Sequence, residues 1–233
     1  MKVLSVRIYG KMAHFRKVFS NSSSLSYYFP PRTTIMGMVA AALGMERDSY
    51  YDELDKLDYA VEALTPLKKL VFGENFLDTD QMTTEKLRGK GNRVPITREF
   101  IVASDGGFLG YNIYVTYSKE VEEAFRRPKF PLSFGQSEML AWVDGEEVLE
   151  CEEKEEFDDE EVYGAVPVKS FTVKPEAVHT LEYGMPRRYE ERRISGILHD
   201  YVFPTEPKAM VVRGRGKGIR CDIGGKSKEL VFL

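Results

Sequence analysis

Cysteine is nearly absent from this chain: Cys151 and Cys221 are the only two in 233 residues. Two cysteines make neither a disulfide framework nor a zinc set. Their scarcity fits a reducing, cytoplasmic compartment. Histidine is also sparse. His14, His179 and His199 lie far apart and suggest no zinc site, so neither a metal nor a cofactor is expected. There is no P-loop, no nucleophile elbow and no G-x-G-x-x-G after a strand. No apolar run reaches the ~18 residues needed to cross a membrane, and the first residues, MKVLSVRIYGK, are too polar for a signal peptide.

What is present indicates a folded protein. The chain is 42% hydrophobic and 12% aromatic, enough for one large domain or two small ones. The net charge of −4 is unevenly spread. Residues 150–161 (ECEEKEEFDDEE) hold nine acids and one lysine, a net of −8, so the other 221 residues sum to +4. Residues 208–228 hold seven basic residues and one acid. Local patches steer polyanions over about a Debye length, so they count for more than the total. The acidic run reads as a solvated linker or loop over 146–161.

Along the chain, the alternation in residues 3–9 predicts a first strand ending at Gly10. The stretch 20–44, SNSSSLSYYFPPRTTIMGMVAAALG, follows a basic segment. Pro30 and Pro31 bar a helix before them. Thr33 or Thr34 is expected to cap the helix that follows. Ile35, Met38, Val39 and Ala42 form its apolar face, and Gly44 suits its left-handed end. Strand pieces are expected over 59–64 and 69–72. Residues 74–97 carry Lys86, Arg88, Lys90 and Arg93 around glycines and read as an exposed arm. The segments 98–103 and 108–117 are expected to pair across a turn at 105–107, before a helix over 119–126 and a strand over 139–143. With the arm and one extra strand set aside, residues 1–145 follow the β-α-β-β-α-β order of the ferredoxin-like fold. Residues 162–233 read as a smaller, mainly β region, making the protein α+β.

Basic residues interleave with aromatics, as single-stranded RNA binding requires: bases stack on rings while cations meet phosphates. His14, Arg16, Lys17 and Tyr27 lie in the segment leading to the helix. Arg32, Thr33 and Thr34 lead into its N-terminus, which can face an anion. Second in rank are Arg187, Arg188, Arg192 and Arg193, with Arg213, Arg215, Lys217 and Arg220 in a Gly-rich stretch expected to be a loop. His14 beside cations also admits a metal-free ribonuclease.

Three segments in register, AHFRKVFSNSSSLSYYFPPRTTIMGMVAAALG (13–44), VPITREFIV (94–102) and PLSFGQSEMLAWV (131–143), strongly resemble the Cas-five family. This is the CRISPR-associated RAMP subunit of type I Cascade, and the detail resembles the type I-B branch. The resemblance implies an RRM-related, ferredoxin-like domain with a long β-hairpin thumb over 74–97. It implies binding of the crRNA 5′ handle, with the Cas-seven backbone and Cas-eight large subunits as partners. The type I-C branch cleaves precursor RNA with a Tyr, Lys and His grouping that has no clear counterpart here.

The expectation is therefore a non-catalytic RNA-binding subunit in antiviral defence, with no membrane partner. The residues expected on RNA are His14, Arg16, Lys17, Tyr27, Arg32, Thr33, Thr34, the four arm cations, and the loop Ser133, Phe134, Gly135 and Gln136. Contact with target DNA is a further possibility for the second-rank cations. The alternatives are a metal-independent endoribonuclease acting on CRISPR repeat RNA and a protein-only scaffold.

Overall fold

A computed structural model describes residues 1–20, 23–174, 178–189 and 196–233. The chain opens with β1 (Lys2–Gly10), the short pair β2 (Phe15–Arg16) and β3 (Ser26–Tyr27), then helices α1 (Arg32–Leu43) and α2 (Tyr51–Leu54). Next come β4 (Tyr59–Ala63), β5 (Leu67–Leu77), β6 (Arg93–Ala103), β7 (Leu109–Thr116), α3 (Lys119–Arg126) and β8 (Leu132–Ser133). The second half is β9 (Leu140–Tyr163), β10 (Val166–Pro167), β11 (Phe171–Val173), β12 (His179–Tyr189), β13 (Gly196–Pro204), β14 (Met210–Ile223) and β15 (Lys226–Val231).

The main sheet runs β11-β14-β15-β9-β1-β7-β4, with β8 alongside β9. Within β9-β1-β7-β4 every neighbour is antiparallel. The connection through α1 crosses β7, and the one through α3 crosses β1. Alternation along β1 explains why both faces are covered. Leu4, Val6 and Ile8 pack with Ile35, Met38, Val39 and Ala42 of α1 and with Val121 and Phe125 of α3. On the other face Val3, Ala60 and Tyr114 pack with Leu149, Ile219, Leu230 and Phe232. That second face also buries Glu62. Its carboxylate accepts from Tyr114 Oη at 2.6 Å, Asn112 Nδ2 at 3.3 Å and Lys228 Nζ at 2.9 Å.

Helix α1 buries the expected apolar face and ends at Gly44, whose φ is 76°. Its start differs from expectation. Pro31 is the N-cap, and neither Thr33 nor Thr34 caps the helix through its side chain. Proline fixes the entry dihedral, and Thr34 N and Ile35 N donate to the Pro31 carbonyl.

Four other expectations are corrected. Strands β6 and β7 do not pair: β6 pairs with β5 over its whole length, while β7 joins the main sheet. The turn at Asp105 therefore carries the chain from one sheet to another. The acidic residues 150–161 belong to the single long strand β9, not to a linker. Residues 213–218 lie within β14, not a loop. The two corrections share a cause, because β9 and β14 are neighbours. Arg213 pairs with Asp158 at 3.0 Å and Asp159 at 2.7 Å, Arg215 with Glu156 at 2.9 Å, and Arg220 with Glu160 at 3.4 Å. Each run supplies the counter-charge that lets the other sit in a ladder. Finally, Cys151 and Cys221 are directly opposed on these strands and form a disulfide, 70 residues apart.

Candidate nucleic-acid interface

The arm is the hairpin β5–β6, paired from Leu67↔Ala103 out to Leu77↔Arg93. It starts closer to the body than residue 74. Its tip holds a helical turn, Lys86–Lys90, in which Gly89 takes a φ of 81°. Lys86 is tied to Asp78 at 2.8 Å and to the Asp80 carbonyl. Arg88 and Lys90 both reach Glu85, at 3.8 and 3.1 Å, with all three side chains exposed. Such pairs exchange readily for a phosphate. Arg93 is exposed and has no ion-pair partner among the described residues.

The base of the arm is joined to two other segments. Ala13 and Ile101 exchange both backbone hydrogen bonds at 2.9 Å, and Ser24 N donates to Thr97 O at 2.8 Å. The segment running through β2 and β3 is thus laid along β6. On the other side Arg98 holds the loop after β8. Its guanidinium donates to Gln136 Oε1, to Glu138 at 3.3 Å and to Glu74 at 3.0 Å. His14 N donates to Phe134 O at 3.0 Å. Gly135 closes this contact: its φ is 96°, and a Cβ there would lie 2.1 Å from the His14 carbonyl.

Several expected RNA contacts lie inside the protein. His14 is 1% exposed. Its Nδ1 is 2.7 Å from the Glu99 carbonyl, which can only accept, so Nδ1 carries the proton. Its Nε2 then accepts from Ser24 Oγ at 2.9 Å. Burial pushes the imidazole below its ordinary pKa, opposed by the Glu99 carbonyl and reinforced by Arg98 and Arg16. Tyr27 and Phe134 are wholly buried, and the Tyr27 hydroxyl donates to Gly184 O at 2.7 Å. Burial, ahead of other causes, holds that phenol neutral. Lys17 is committed to Glu182 at 2.6 Å. Arg16 remains exposed, and its guanidinium donates to Ser20 O at 3.2 Å.

Arg32 departs most from expectation. It faces inward, 3% exposed, and its guanidinium donates to the Asp55 carboxylate, to Asp55 O at 2.8 Å and to Leu57 O at 2.9 Å. It stacks on the Tyr59 ring at 5.0 Å. The polar links to the α2 end and the ring beneath leave it no surface toward a phosphate. Thr33 is also buried, 3.5 Å from Pro186 O.

Thr34 and the 133–136 loop do meet. Thr34, Ser133 and Gly135, with an edge of Thr33, line one cleft of about 260 Å³ with Tyr50, Tyr51 and Tyr189. The Tyr51 ring lies 4.7 Å from Tyr50 and 6.1 Å from Tyr189. Tyr189 is one of the aromatics that the sequence interleaves with basic residues, whereas Tyr50 and Tyr51 carry no such signal. The pair Tyr50-Tyr51 reads as the start of a short helix, and nothing in the sequence connects it with Tyr189. Arg98 was legible only as part of a strand.

Of the second-rank cations, Arg188 pairs with Asp52 and Asp55, both at 3.2 Å. Arg213 and Arg215 face β9 acids in exposed pairs of the same exchangeable kind, while Arg220 is held by Glu229 and Lys217 by Asp58 at 2.6 Å. Arg187 lines a second cleft, described below. Arg192 and Arg193 lie outside the described residues. Among the described residues, no cluster of three or more potential metal-binding side chains is present. No helix there is long and apolar enough to cross a membrane.

A family model described as CRISPR-associated protein (Cas_Cas5) matches residues 3–200. The chain belongs to the Cas5 family. Among solved structures, this Cas5 member is similar to a chain of a CRISPR RNA-guided surveillance complex, at 16% identity and a TM-score of 0.51, covering 88% of this chain and 91% of that one. It is also similar to a CRISPR protein from Archaeoglobus fulgidus, at 14% identity and a TM-score of 0.50, with both chains covered in full. At such identities the likeness speaks to the fold. No individual curated protein matches the sequence.

Proposed function

We propose that this Cas5 member is a non-catalytic subunit of a type I CRISPR surveillance complex that binds the 5′ handle of crRNA. On this reading β9-β1-β7-β4 with α1 and α3 is the ferredoxin-like RAMP core, and β5–β6 is the thumb. The observation that carries it is the joining of three segments at one place. The arm base, the segment around His14 and the 133–136 loop are tied by the Ala13–Ile101 and Arg98–Gln136 contacts into one surface. Arg16 supplies exposed charge to that surface, and Arg88, Lys90 and Arg93 supply exchangeable or free charge at the tip of the arm that rises from it. The tyrosine-lined cleft beside Thr34 and Ser133 is suited to one unstacked base.

The non-catalytic reading is supported by His14. A general base needs a lone pair facing its substrate. Here both ring nitrogens are occupied within the protein. The handle would be flanked by the backbone and large subunits, as the resemblance to the type I-B branch implies.

The test is reconstitution of the complex with labelled crRNA in EDTA. Retention of intact RNA, lost when the handle is deleted, is the expected result. Site-specific cleavage abolished by His14→Ala would replace this reading with the endoribonuclease. Assembly indifferent to the handle would replace it with a protein scaffold.

A further inference from the structure

A second cleft lies between β13 and the end of the chain. Its volume is about 660 Å³, within the range of specific binding sites. Phe171, Leu198, Val231 and Phe232 give it an apolar lining, and Lys169 and Arg187 add positive charge. Neither Lys169 nor Arg187 has an ion-pair partner among the described residues. The acids of the cleft are already engaged: Asp58 holds Lys217 at 2.6 Å, and Asp200 accepts from Gly184 N at 2.8 Å.

The strand bordering the cleft has a free edge. β10 pairs with only Tyr201 and Val202 of β13, while β12 runs along the other side from Gly196 to Pro204. Residues 196–199 therefore have a partner strand on one side alone among the described residues. This edge is apolar and open: Ile197 is 46% exposed, Leu198 49% and, just beyond β10, Val168 40%. A bare apolar edge is normally blunted by charge or covered. Contiguous exposed aliphatics with a cationic rim mark a protein contact.

We propose that this cleft receives an extended acidic and aliphatic peptide segment of a partner protein, added as a strand to the free edge of β13. Backbone pairing gives such a segment its register, and alternate side chains enter the cleft. Aliphatic side chains meet Leu198 and Phe171, and carboxylates meet Lys169 and Arg187. A nucleic acid fits less well. The cleft's phenyl rings, Phe171 and Phe232, are each 7% exposed and offer bases no stacking platform, and the half-buried His199 ring already lies against Tyr201. Burial, with the charges of Arg187 and Lys169, pushes the His199 imidazole down, in keeping with a positive site lacking its counter-ion.

The inference is independent of handle binding and is tested on the full chain alone. The probes are a short fluorescein-labelled peptide alternating leucine and glutamate, the same peptide with lysine for glutamate, and a single-stranded RNA. Fluorescence anisotropy should show the acidic peptide binding at least about tenfold more tightly than the basic one. Leu198→Glu and Lys169→Glu should each weaken it about tenfold, with melting temperature unchanged because both side chains are exposed. Equal binding of the two peptides, no binding at about 1 mM, indifference to both substitutions, or displacement of the peptide by RNA would each overturn the proposal.

Discussion

Lys228 Nζ lies 2.9 and 3.0 Å from the two carboxylate oxygens of Glu62, on the sheet face away from the helices. The Glu62 side chain is 5% exposed and the Lys228 side chain 24%. Removing the lysine leaves a buried carboxylate with only Tyr114 and Asn112 to satisfy it. Lys228→Met should lower unfolding free energy in urea by about 3 kcal/mol. Adding Glu62→Gln to that variant should recover part of the loss, since the isolated charge is then gone.

Arg32 and Arg93 are both arginines expected on RNA, and the structure separates them. Arg32→Ala should cost about 3 kcal/mol of stability, by stripping the Asp55 and Leu57 carbonyls of their donor and leaving the Asp55 carboxylate with Arg188 alone. It should leave the salt dependence of handle binding unchanged. Arg93→Ala should do the reverse, with stability intact and the slope of log affinity against log salt reduced by about 0.7. Paired urea melts and salt titrations distinguish the two. An unchanged slope for Arg93→Ala would remove the arm tip from the interface.

The buried His14 imidazole predicts a pH dependence. Its folded pKa is depressed below 6.5, so the fold favours the neutral ring. The unfolded state takes up the proton first as pH falls, so stability is full above the unfolded pKa. It declines through 6.5 toward the lower folded value. His199 is shifted the same way and adds to the decline. His14→Gln should flatten part of the loss between neutral and mildly acidic pH, read by urea midpoints across that range.

The Cys151–Cys221 bond closes a separation of 70 residues. In the chain-entropy account, such a loop gives about 4 kcal/mol. Reduction by dithiothreitol should therefore lower the melting temperature. A Cys151→Ser, Cys221→Ser variant should match the reduced protein and no longer respond. Thiol titration of the unreduced, denatured protein should find no free cysteine.

Local signals were legible where the cause is local. Pro31 and Gly44 bracket α1 because proline and glycine restrict their own dihedrals. The alternation of β1 and the basic arm were read the same way. What failed depended on partners distant in sequence. The acids of 150–161 look like a solvated loop until Arg213, Arg215 and Arg220 stand opposite them. Two cysteines look unrelated until β9 and β14 place them in register. Arg32 looks like a surface cation at a helix start because nothing nearby reveals that Asp55 and Leu57 O will enclose it. The tyrosine-lined cleft draws on Tyr50, Ser133 and Tyr189, which only the fold brings together.

β9 is one continuous 24-residue strand. Its first part pairs with β1 and its later part with β14 and β15. The helical half and the C-terminal β half consequently share a structural member. A fragment ending near residue 145 would lose the β9 partners of Lys2–Val6 and expose Val3, Glu62 and Tyr114 to water. Such a shared strand predicts that the two halves unfold together, as a single transition in urea.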